Sequence, residues 1–397
     1  MTIYEEAAAH KKELSDVRRY LHQHPEASMK EYKTAAYIRA YLSDRNIPWV
    51  EAGETGTVAV IEGTADKAPA ESAQRKVIGL RGDIDALEMD ELNDNAYCSQ
   101  NPGLMHACGH DGHTAALLGA AVYLQEHKEE IPGTVKLIFQ PGEENGQGAR
   151  AVVESGAIDD VEGIFGLHVS SSLPTGEVTI RKGVMSSAND KFRIWITGKG
   201  CHGSAPQNGA DALLAGASLV QTLQTVISRE SDPLKPTVMT VGIFESGTAF
   251  NILPENAYIE GSIRVLEEEQ RLVNRRAIER MAEASAQAYR CTAKVEFEAT
   301  AKVVYNDSHL TDLAVRAAEE ILGKEHVKEQ DLSLGAEDFA EYLAVCPVTY
   351  MNIGSRNEEQ GITAPHHHGN FDIDEDCLPI SMAVYVQFVK EYFAVSK

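Results

Sequence analysis

The sequence predicts an α/β protein whose mostly parallel sheet is interrupted by an inserted α+β domain of ferredoxin-like order. Three observations carry this prediction. Short apolar runs alternate with helical patterns on both sides of the insert, as in layered α/β folds. Between residues 185 and 297 the strands instead alternate polar and apolar residues, in the order β-α-β-β-α-β. The length of 397 residues also exceeds that of a usual single domain.

Hydrophobic periodicity gives the elements of the outer domain, which we expect to cover residues 1–184 and 298–397. The first helical pattern runs over 3–23 and ends before Pro25. A second amphipathic helix is predicted for 32–45, and a polar loop for 63–74. The other predicted elements are strands at 58–62, 77–81, 135–140 and 163–169 and a helix at 114–127.

The inserted domain is predicted at 185–297. Its strands alternate in the manner of sheets with one solvated face, and its helices are long and charged or apolar on one side. The predicted elements are strands at 191–197, 236–243, 257–265 and 293–297 and helices at 211–228 and 267–289.

Charge and cysteine usage exclude several classes of protein. Asp and Glu number 60 against 36 Lys and Arg, a net charge of −24, which disfavours nucleic acid and anionic membranes as partners. The sequence holds no apolar run of transmembrane length and no signal-peptide pattern. Six scattered cysteines without a CxxC pair fit a reduced compartment, so we expect a cytoplasmic location.

The densest group of metal-ligand side chains is the run 105–114, MHACGHDGHT. Cys108 and His110 stand two apart on a predicted turn before a helix, so both side chains can point at one ion. Thiolate and imidazole are ligands that zinc-like ions prefer. A buried thiol beside surface histidines explains the run about equally well, since free cysteine often behaves as a small apolar residue.

Two adjacent carboxylates, Glu143 and Glu144, directly follow the strand predicted at 135–140. One carboxylate can bind a metal while its neighbour takes a proton from water. A solvated acidic loop would have the same sequence. The pair therefore gains weight only from what lies beside it.

Topology places several candidates together, because ligands of open α/β sheets gather beyond the carboxyl ends of the strands. His168 alone would more often be a core residue, and the run 366–368 could be a surface tract or supply one ligand. The residues at predicted strand ends, or just before a helix on that edge, are Asp83, Asp85, Glu143, Glu144, His168, Cys108 and His110.

The inserted domain adds a second polar set. His202 lies in a glycine-rich turn, Asn251 in a loop and Arg264 on the strand that follows. Ordinary turn chemistry and a surface ion pair account for these residues. They would equally form a donor set, with His202 for an oxyanion and the other two for a substrate carboxylate.

Taken together, these motifs resemble the M20 family of metallopeptidases and amidohydrolases. The resemblance is to the branch that acts on N-acyl amino acids, auxin conjugates and hippurate, in which Cys108 replaces the aspartate of other members. It spans nearly the whole chain. The matching segments are 19–26, 80–87, 105–114, 139–144, 166–169, 198–206, 251–254, 335–339 and the C-terminal histidines.

The resemblance implies a catalytic outer domain with two divalent ions per subunit, of Mn, Zn, Co or Ni, bridged through Cys108. It implies that the insert is a dimerisation or lid domain, whose His202 reaches the active site of a partner subunit. The implied ligands are Cys108, His110, Glu144, His168 and His367, which stands four residues ahead of Phe371. The general base is implied to be Glu143, and Asp85 is implied to orient a ligand.

Four positions depart from the family's usual residues: Gly82, Glu88, Cys201 and Gly369. None is an implied ligand. Glu88 and Cys201 bear on the rim of the pocket, and hence on substrate choice more than on the reaction.

The expected reaction is hydrolysis of an N-acyl amino acid to a carboxylic acid and a free amino acid. Arg264 and Asn251 would bind the α-carboxylate of the substrate. One alternative is a peptidase of the same scaffold that acts on short peptides. Another is a non-catalytic metal-binding protein, which the presence of both base and ligands disfavours. In a third, His106 and His110 would activate Cys108 as a nucleophile, which leaves the glutamates without a task.

Overall fold

The structure is a computed structural model that describes residues 1–65 and 75–394, so most of the loop predicted at 63–74 lies outside the described residues. The chain divides into two compact units. The larger unit comprises Met1–Met185, Tyr305–Asp331 and Asp338–Lys397, and the smaller comprises Ser186–Val304 and Leu332–Glu337. The functional division into a catalytic domain and an inserted dimerisation domain stays a proposal.

Every predicted helix is helical in the structure, and further helices lie at 148–154, 308–322 and 377–394. The helices of the described residues are α1 (Ile3–Ala9), α2 (Lys11–Gln23), α3 (Tyr32–Asp44), α4 (His110–Glu126), α5 (Gly148–Glu154), α6 (Ala212–Thr225), α7 (Glu268–Ala288), α8 (Ser308–Leu322) and α9 (Cys377–Ala394). Short 3₁₀ turns lie at Lys128–Glu130, Pro206–Asn208, Lys324–His326 and Asp338–Ala344, and a π turn at Val226–Glu230. None of the helices described here is long and apolar enough to cross a bilayer.

The strands fall into one large sheet, one four-stranded sheet and one small pair. They are β1 (Trp49–Ala52), β2 (Gly56–Glu62), β3 (Val77–Asp83), β4 (Thr134–Gln140), β5 (Ile164–Pro174), β6 (Val178–Ile180), β7 (Gly183–Val184), β8 (Ala188–Thr197), β9 (Cys201–His202), β10 (Thr237–Ser246), β11 (Ile252–Leu253), β12 (Asn256–Val265), β13 (Thr292–Ala301), β14 (Tyr305–Asn306), β15 (Val327–Glu329) and β16 (Val348–Arg356).

The large sheet is parallel at its centre, which confirms the predicted fold class. Its order is β1-β2-β4-β3-β5-β16-β14-β7, and the pairs from β4 to β14 are parallel. Strands β1, β2, β6 and β7 pair antiparallel at its margins. All seven residues of β3 are buried, as expected of a strand covered on both faces. Helix α4 is buried on fourteen of its seventeen residues, so almost none of its surface faces solvent.

The smaller unit has the predicted ferredoxin-like order. Its antiparallel sheet runs β10-β12-β8-β13, and α6 and α7 pack on one face of it. The Asp211 side chain accepts a hydrogen bond from the Leu214 N–H and caps α6. Strand β10 lies at an edge of the sheet, where its outer backbone groups have no strand partner among the described residues.

Several predicted bounds shift by a few residues, and two elements of the larger unit differ more clearly. The helix predicted at 3–23 is two helices, because the His10 N–H bonds the Ala7 carbonyl three residues back and closes the first helix. Strand β5 continues to Pro174 instead of ending at residue 169. His168 still lies at the sheet edge formed by its neighbour, because Arg81 pairs with Gly166 and β3 ends two residues later.

Candidate metal centre

Cys108 and His110 stand on either side of a left-handed turn at Gly109, whose φ is +96°. A Cβ atom at this position would lie 2.3 Å from Cγ2 of Val169, so backbone angle and space both require glycine. The sequence predicted that both residues precede the helix. His110 is instead the first residue of α4, and both flanking side chains are buried. The turn therefore places a thiol and a helix-anchored imidazole side by side.

His110 binds protein through one ring nitrogen and leaves the other without a hydrogen bond. Its Nδ1 lies 3.0 Å from the Asp85 carbonyl oxygen and 3.1 Å from Asp85 Oδ1, so Nδ1 carries the proton. Its Nε2 is buried and makes no hydrogen bond with any described residue. Histidines that bind metals are oriented in this way by an acceptor on the other nitrogen.

His168, on β5, is also oriented through its Nδ1. Its Nδ1 donates to the Val169 carbonyl at 2.5 Å, and its Nε2 lies 3.4 Å from Cys108 Sγ. Burial lowers the pKa of His168 well below its usual value. The ring is therefore neutral and presents a lone pair towards the thiol.

Asp85 fastens the glutamate loop to the histidine helix. Its Oδ2 accepts the backbone N–H of Glu144 at 3.0 Å and the Ser28 hydroxyl at 2.7 Å, while its Oδ1 faces His110. The Oε1 of Glu144 is buried without a hydrogen bond among the described residues. Glu143, partly exposed, lies within 4.8 Å of His110 and Glu144, measured between ligand atoms.

The structure separates the three consecutive histidines. His367 has a left-handed backbone, φ +60°, and its N–H donates to the Ala107 carbonyl at 2.8 Å. Its Nε2 lies 3.5 Å from Glu144 Oε1. His366 accepts the Ser171 N–H on its Nε2 at 3.1 Å, and its ring lies 5.3 Å from that of His168. The exposed His368 accepts the Asn370 N–H.

Five predicted ligands thus converge in two groups that share Cys108. One group is Cys108, His110 and His168, and the other is Cys108, Glu144 and His367, with the ligand atoms of each within 4.8 Å of one another. Sulfur, imidazole and carboxylate donors with unused lone pairs suit a divalent transition ion. The Cys108 thiol and the Glu144 carboxylate raise the pKa of His367 to about 10, a sign of how strongly this site favours positive charge.

A buried pair that the sequence did not predict supports the centre. His113 Nδ1 lies 2.5 Å from Asp83 Oδ1, and its Nε2 accepts the Val169 N–H at 2.8 Å, so neither nitrogen is available to a metal. Burial would raise the pKa of Asp83, but Arg81 and the nearby histidines hold it well below its usual value. The spacing of His113 three residues after His110, on one helix face, was the available signal.

The smaller unit holds the other predicted residues at two separate places. His202 and Asn251 meet where β9 pairs with β11, and the Gly203 N–H donates to the Asn251 carbonyl at 2.8 Å. The Ser204 N–H donates to His202 Nδ1 at 3.1 Å, which leaves the proton on Nε2. Arg264 lies at the far end of β12 and donates to the Leu334 carbonyl at 2.7 Å.

Comparison with known proteins places this geometry in context. The model of "Peptidase family M20/M25/M40" matches residues 79–391. The chain is 36% identical over 381 residues to "IAA-amino acid hydrolase ILR1-like 4" of Arabidopsis thaliana, covering 95% of this chain and 84% of that protein. It is 36% identical over 368 residues to "N-acetyl-L-cysteine deacetylase" of Bacillus subtilis, covering 92% and 85%.

Among solved structures, the chain is similar to the Bacillus subtilis YXEP protein, described as a dinuclear metal binding peptidase from the M20 family. The TM-score is 0.83 at 31% identity, and the match covers 96% of this chain and 98% of that chain.

Proposed function

The chain belongs to the peptidase family M20/M25/M40 and is a metal-dependent amidohydrolase of N-acyl amino acids, and from this premise we propose how its residues divide the work. Two divalent ions would be held, one by Cys108, His110 and His168 and the other by Cys108, Glu144 and His367. Glu143 is the general base. The proposal is carried by two buried atoms near the Cys108 thiol, His110 Nε2 and Glu144 Oε1. Neither makes a hydrogen bond with a described residue.

The chemistry needs one group that moves a proton. Bound divalent ions supply Lewis acidity, which lowers the pKa of water from 15.7 towards about 7. Glu143 takes the proton of the attacking water and passes it to the leaving amine nitrogen, so the acyl carbon gains an oxygen as the C–N bond breaks. His202, protonated on Nε2, donates to the developing oxyanion.

A cysteine nucleophile fits the site less well. Burial raises the pKa of the Cys108 thiol, whereas a nucleophilic cysteine needs a lowered pKa and access to solvent. The buried His106 makes no hydrogen bond through either ring nitrogen with the described residues, so it offers the thiol no oriented base. The metal-ligand role, unlike the nucleophile role, gives a task to each of Cys108, His110, Glu144, His168 and His367.

The substrate's α-carboxylate is bound by Arg264 of one chain and Asn251 of another. Arg264 stands eight residues along β12 from Asn256, which pairs with Thr197 beside the His202 turn. At ~3.3 Å per residue this separation is roughly 25 Å, too far for one carboxylate. Arg264 and Asn251 therefore serve one substrate only if two copies of the chain combine.

The surface of the smaller unit supports a homodimer. Edge strand β10 exposes apolar side chains, among them Val238, Ile243 and Phe244, and α6 exposes Leu213 and Leu214. Exposed apolar groups beside an unpaired strand edge are typical of an interface. Strand addition at β10 would continue the sheet into a second copy, with His202 and Asn251 serving the partner's site.

Mixing two inactive variants tests this arrangement. In a heterodimer of Glu143→Gln and His202→Ala chains, one site has lost both groups and the other has kept both. Random pairing of equal amounts should restore about a quarter of wild-type activity. If His202 serves its own chain, mixing restores nothing.

The reaction itself is tested on metal-free protein with N-acetyl, N-benzoyl, indoleacetyl and long-chain acyl amino acids beside dipeptides. Mn²⁺, Zn²⁺, Co²⁺ and Ni²⁺ are added separately, since thiolate, imidazole and carboxylate suit several ions. Release of amino acid from the acyl substrates supports the proposal, and cleavage of dipeptides alone would establish the peptidase alternative. The Glu143→Gln protein should bind metal and lose turnover.

All six cysteines are unpaired, which supports the cytoplasm as the proposed location.

A further inference from the structure

The guanidinium of Arg18, on α2, is fully buried and lies between two carboxylates of other segments. Its Nε donates to Asp111 Oδ2 at 2.7 Å, and its Nη2 donates to Asp372 Oδ1 at 2.7 Å. Glu375 lies farther from the same group, at 3.4 Å. One rigid, planar cation thus joins a helix start to a C-terminal loop.

Both carboxylates lie on segments that carry a proposed metal ligand. Asp111 follows His110 in the first turn of α4, and it also bonds His22 Nδ1 at 2.8 Å. Asp372 lies five residues after His367, and its Oδ2 accepts the Tyr97 hydroxyl at 2.8 Å. Each ligand-bearing segment is therefore attached to the guanidinium through a charged hydrogen bond.

Burial makes this network costly as a simple source of stability. Desolvation of a buried ion pair offsets most of its Coulomb attraction, and apolar residues of equal volume often stabilise a fold as well. A guanidinium has donors at fixed angles, so it also fixes the relative position of the carboxylates that it binds. Such a pair is best explained by the geometry that it imposes.

We propose that Arg18 is a positioning residue that sets the spacing between the two metal-binding groups, by holding the His367 loop against the helix that begins with His110. The inference rests on the proposed function. Three other bonds hold the loop to segments outside α4: His367 N–H to Ala107 O at 2.8 Å, Leu92 N–H to Gly369 O at 2.7 Å, and Asn93 Nδ2 to Phe371 O at 3.0 Å. Arg18 alone among these contacts ties the loop to α4.

The test removes the bond between Arg18 and the His367 loop and keeps the buried guanidinium paired with other carboxylates. In Asp372→Ala, Arg18 retains Asp111 and Glu375, so the protein should fold. Asp372→Asn restores an acceptor oxygen and serves as the conservative rescue. The matched control is Arg19→Ala, because the neighbouring Arg19 bonds Glu375 and lies over the Tyr97 ring but bonds neither Asp111 nor Asp372. Binding of Zn²⁺ to the metal-free proteins is followed by calorimetric titration, beside thermal unfolding.

We expect wild type and Arg19→Ala to bind two Zn²⁺ alike. Asp372→Ala should bind one ion as wild type does and the other at least tenfold more weakly, with Asp372→Asn between them. The double variant Asp372→Ala/His367→Asn should weaken binding of the same ion. Its loss of binding free energy should be smaller than the sum of the losses in the two single variants.

Two results would overturn the inference and leave the proposed function standing: unchanged affinity for both ions, or equal weakening of both. If wild-type protein bound fewer than two Zn²⁺, the proposed two-metal centre would fall, and this inference with it.

Discussion

Replacing each of the three consecutive histidines by asparagine should give three different results. The three rings have different contacts: His366 accepts the Ser171 N–H, His367 faces Glu144 among the proposed ligands, and His368 accepts the Asn370 N–H at the surface. Each variant makes the same substitution, histidine to asparagine. Any difference therefore reports the position of each ring.

His367→Asn removes a proposed ligand, so the affinity for one of two ions should fall by more than the ~10–100-fold typical of losing a supporting partner. Thermal stability of the metal-free protein should change little, since the His367 side chain is 54% exposed. His366→Asn instead leaves the buried Ser171 N–H without its acceptor, a loss of about 1–3 kcal/mol in the free energy of unfolding. His368→Asn should lie within about 0.5 kcal/mol of wild type.

The assay combines metal content after dialysis with thermal unfolding of the metal-free proteins. Loss of an ion in His366→Asn, with His367→Asn still binding two, would refute the assignment of His367. Equal metal loss in all three would mean that the loop acts as a unit and that ring position carries no information.

Three further outcomes follow from contacts described above. Arg264→Ala should raise KM for N-acyl amino acids with little change in kcat; an unchanged KM removes Arg264 from the substrate site. Gly109→Ala should lower thermal stability and metal content together, because a Cβ would meet Val169 and the left-handed angle costs about 1–2 kcal/mol; full metal content at wild-type stability would contradict this. Asp190 is buried, but Arg275 and Arg271 lower its pKa, so its stabilisation is present above its unfolded pKa of about 3.9 and is lost as pH falls through the folded value. Asp190→Asn should therefore cost about 3 kcal/mol near pH 7, and the difference from wild type in urea unfolding should shrink below pH 4; a constant difference would refute the pKa argument.

Much of the fold followed from periodicity, because strands such as β3 and β4 contain short apolar runs beside polar loops. The outer sheet and the ferredoxin-like order of the insert were both predicted in this way. The positions of ends were less predictable. His110 could not be placed inside α4 from its sequence, since the residues around it are polar and only the Gly109 turn fixes the start.

The parts of the candidate site with uncommon residue types in distinctive motifs were predictable. The supporting contacts between ordinary charged residues were missed. Cys108 and the glutamate pair stood out by type, and strand ends brought them together. The supporting contacts of Asp83 with His113, and of Arg18 with Asp111 and Asp372, join residues far apart in the chain. No local pattern encodes such pairs, because they depend on how α2, α4 and the C-terminal loop pack.

The unequal burial of the two ligand groups has a consequence for how ions enter and leave. His110 is 1% exposed, whereas the His367 side chain is 54% exposed and belongs to a loop. In the proposed two-metal centre, a chelator would reach the ion at His367 first, so metal exchange there would be faster and metal loading would end there. When metal is scarce, the proposed centre would therefore hold a single ion, at Cys108, His110 and His168.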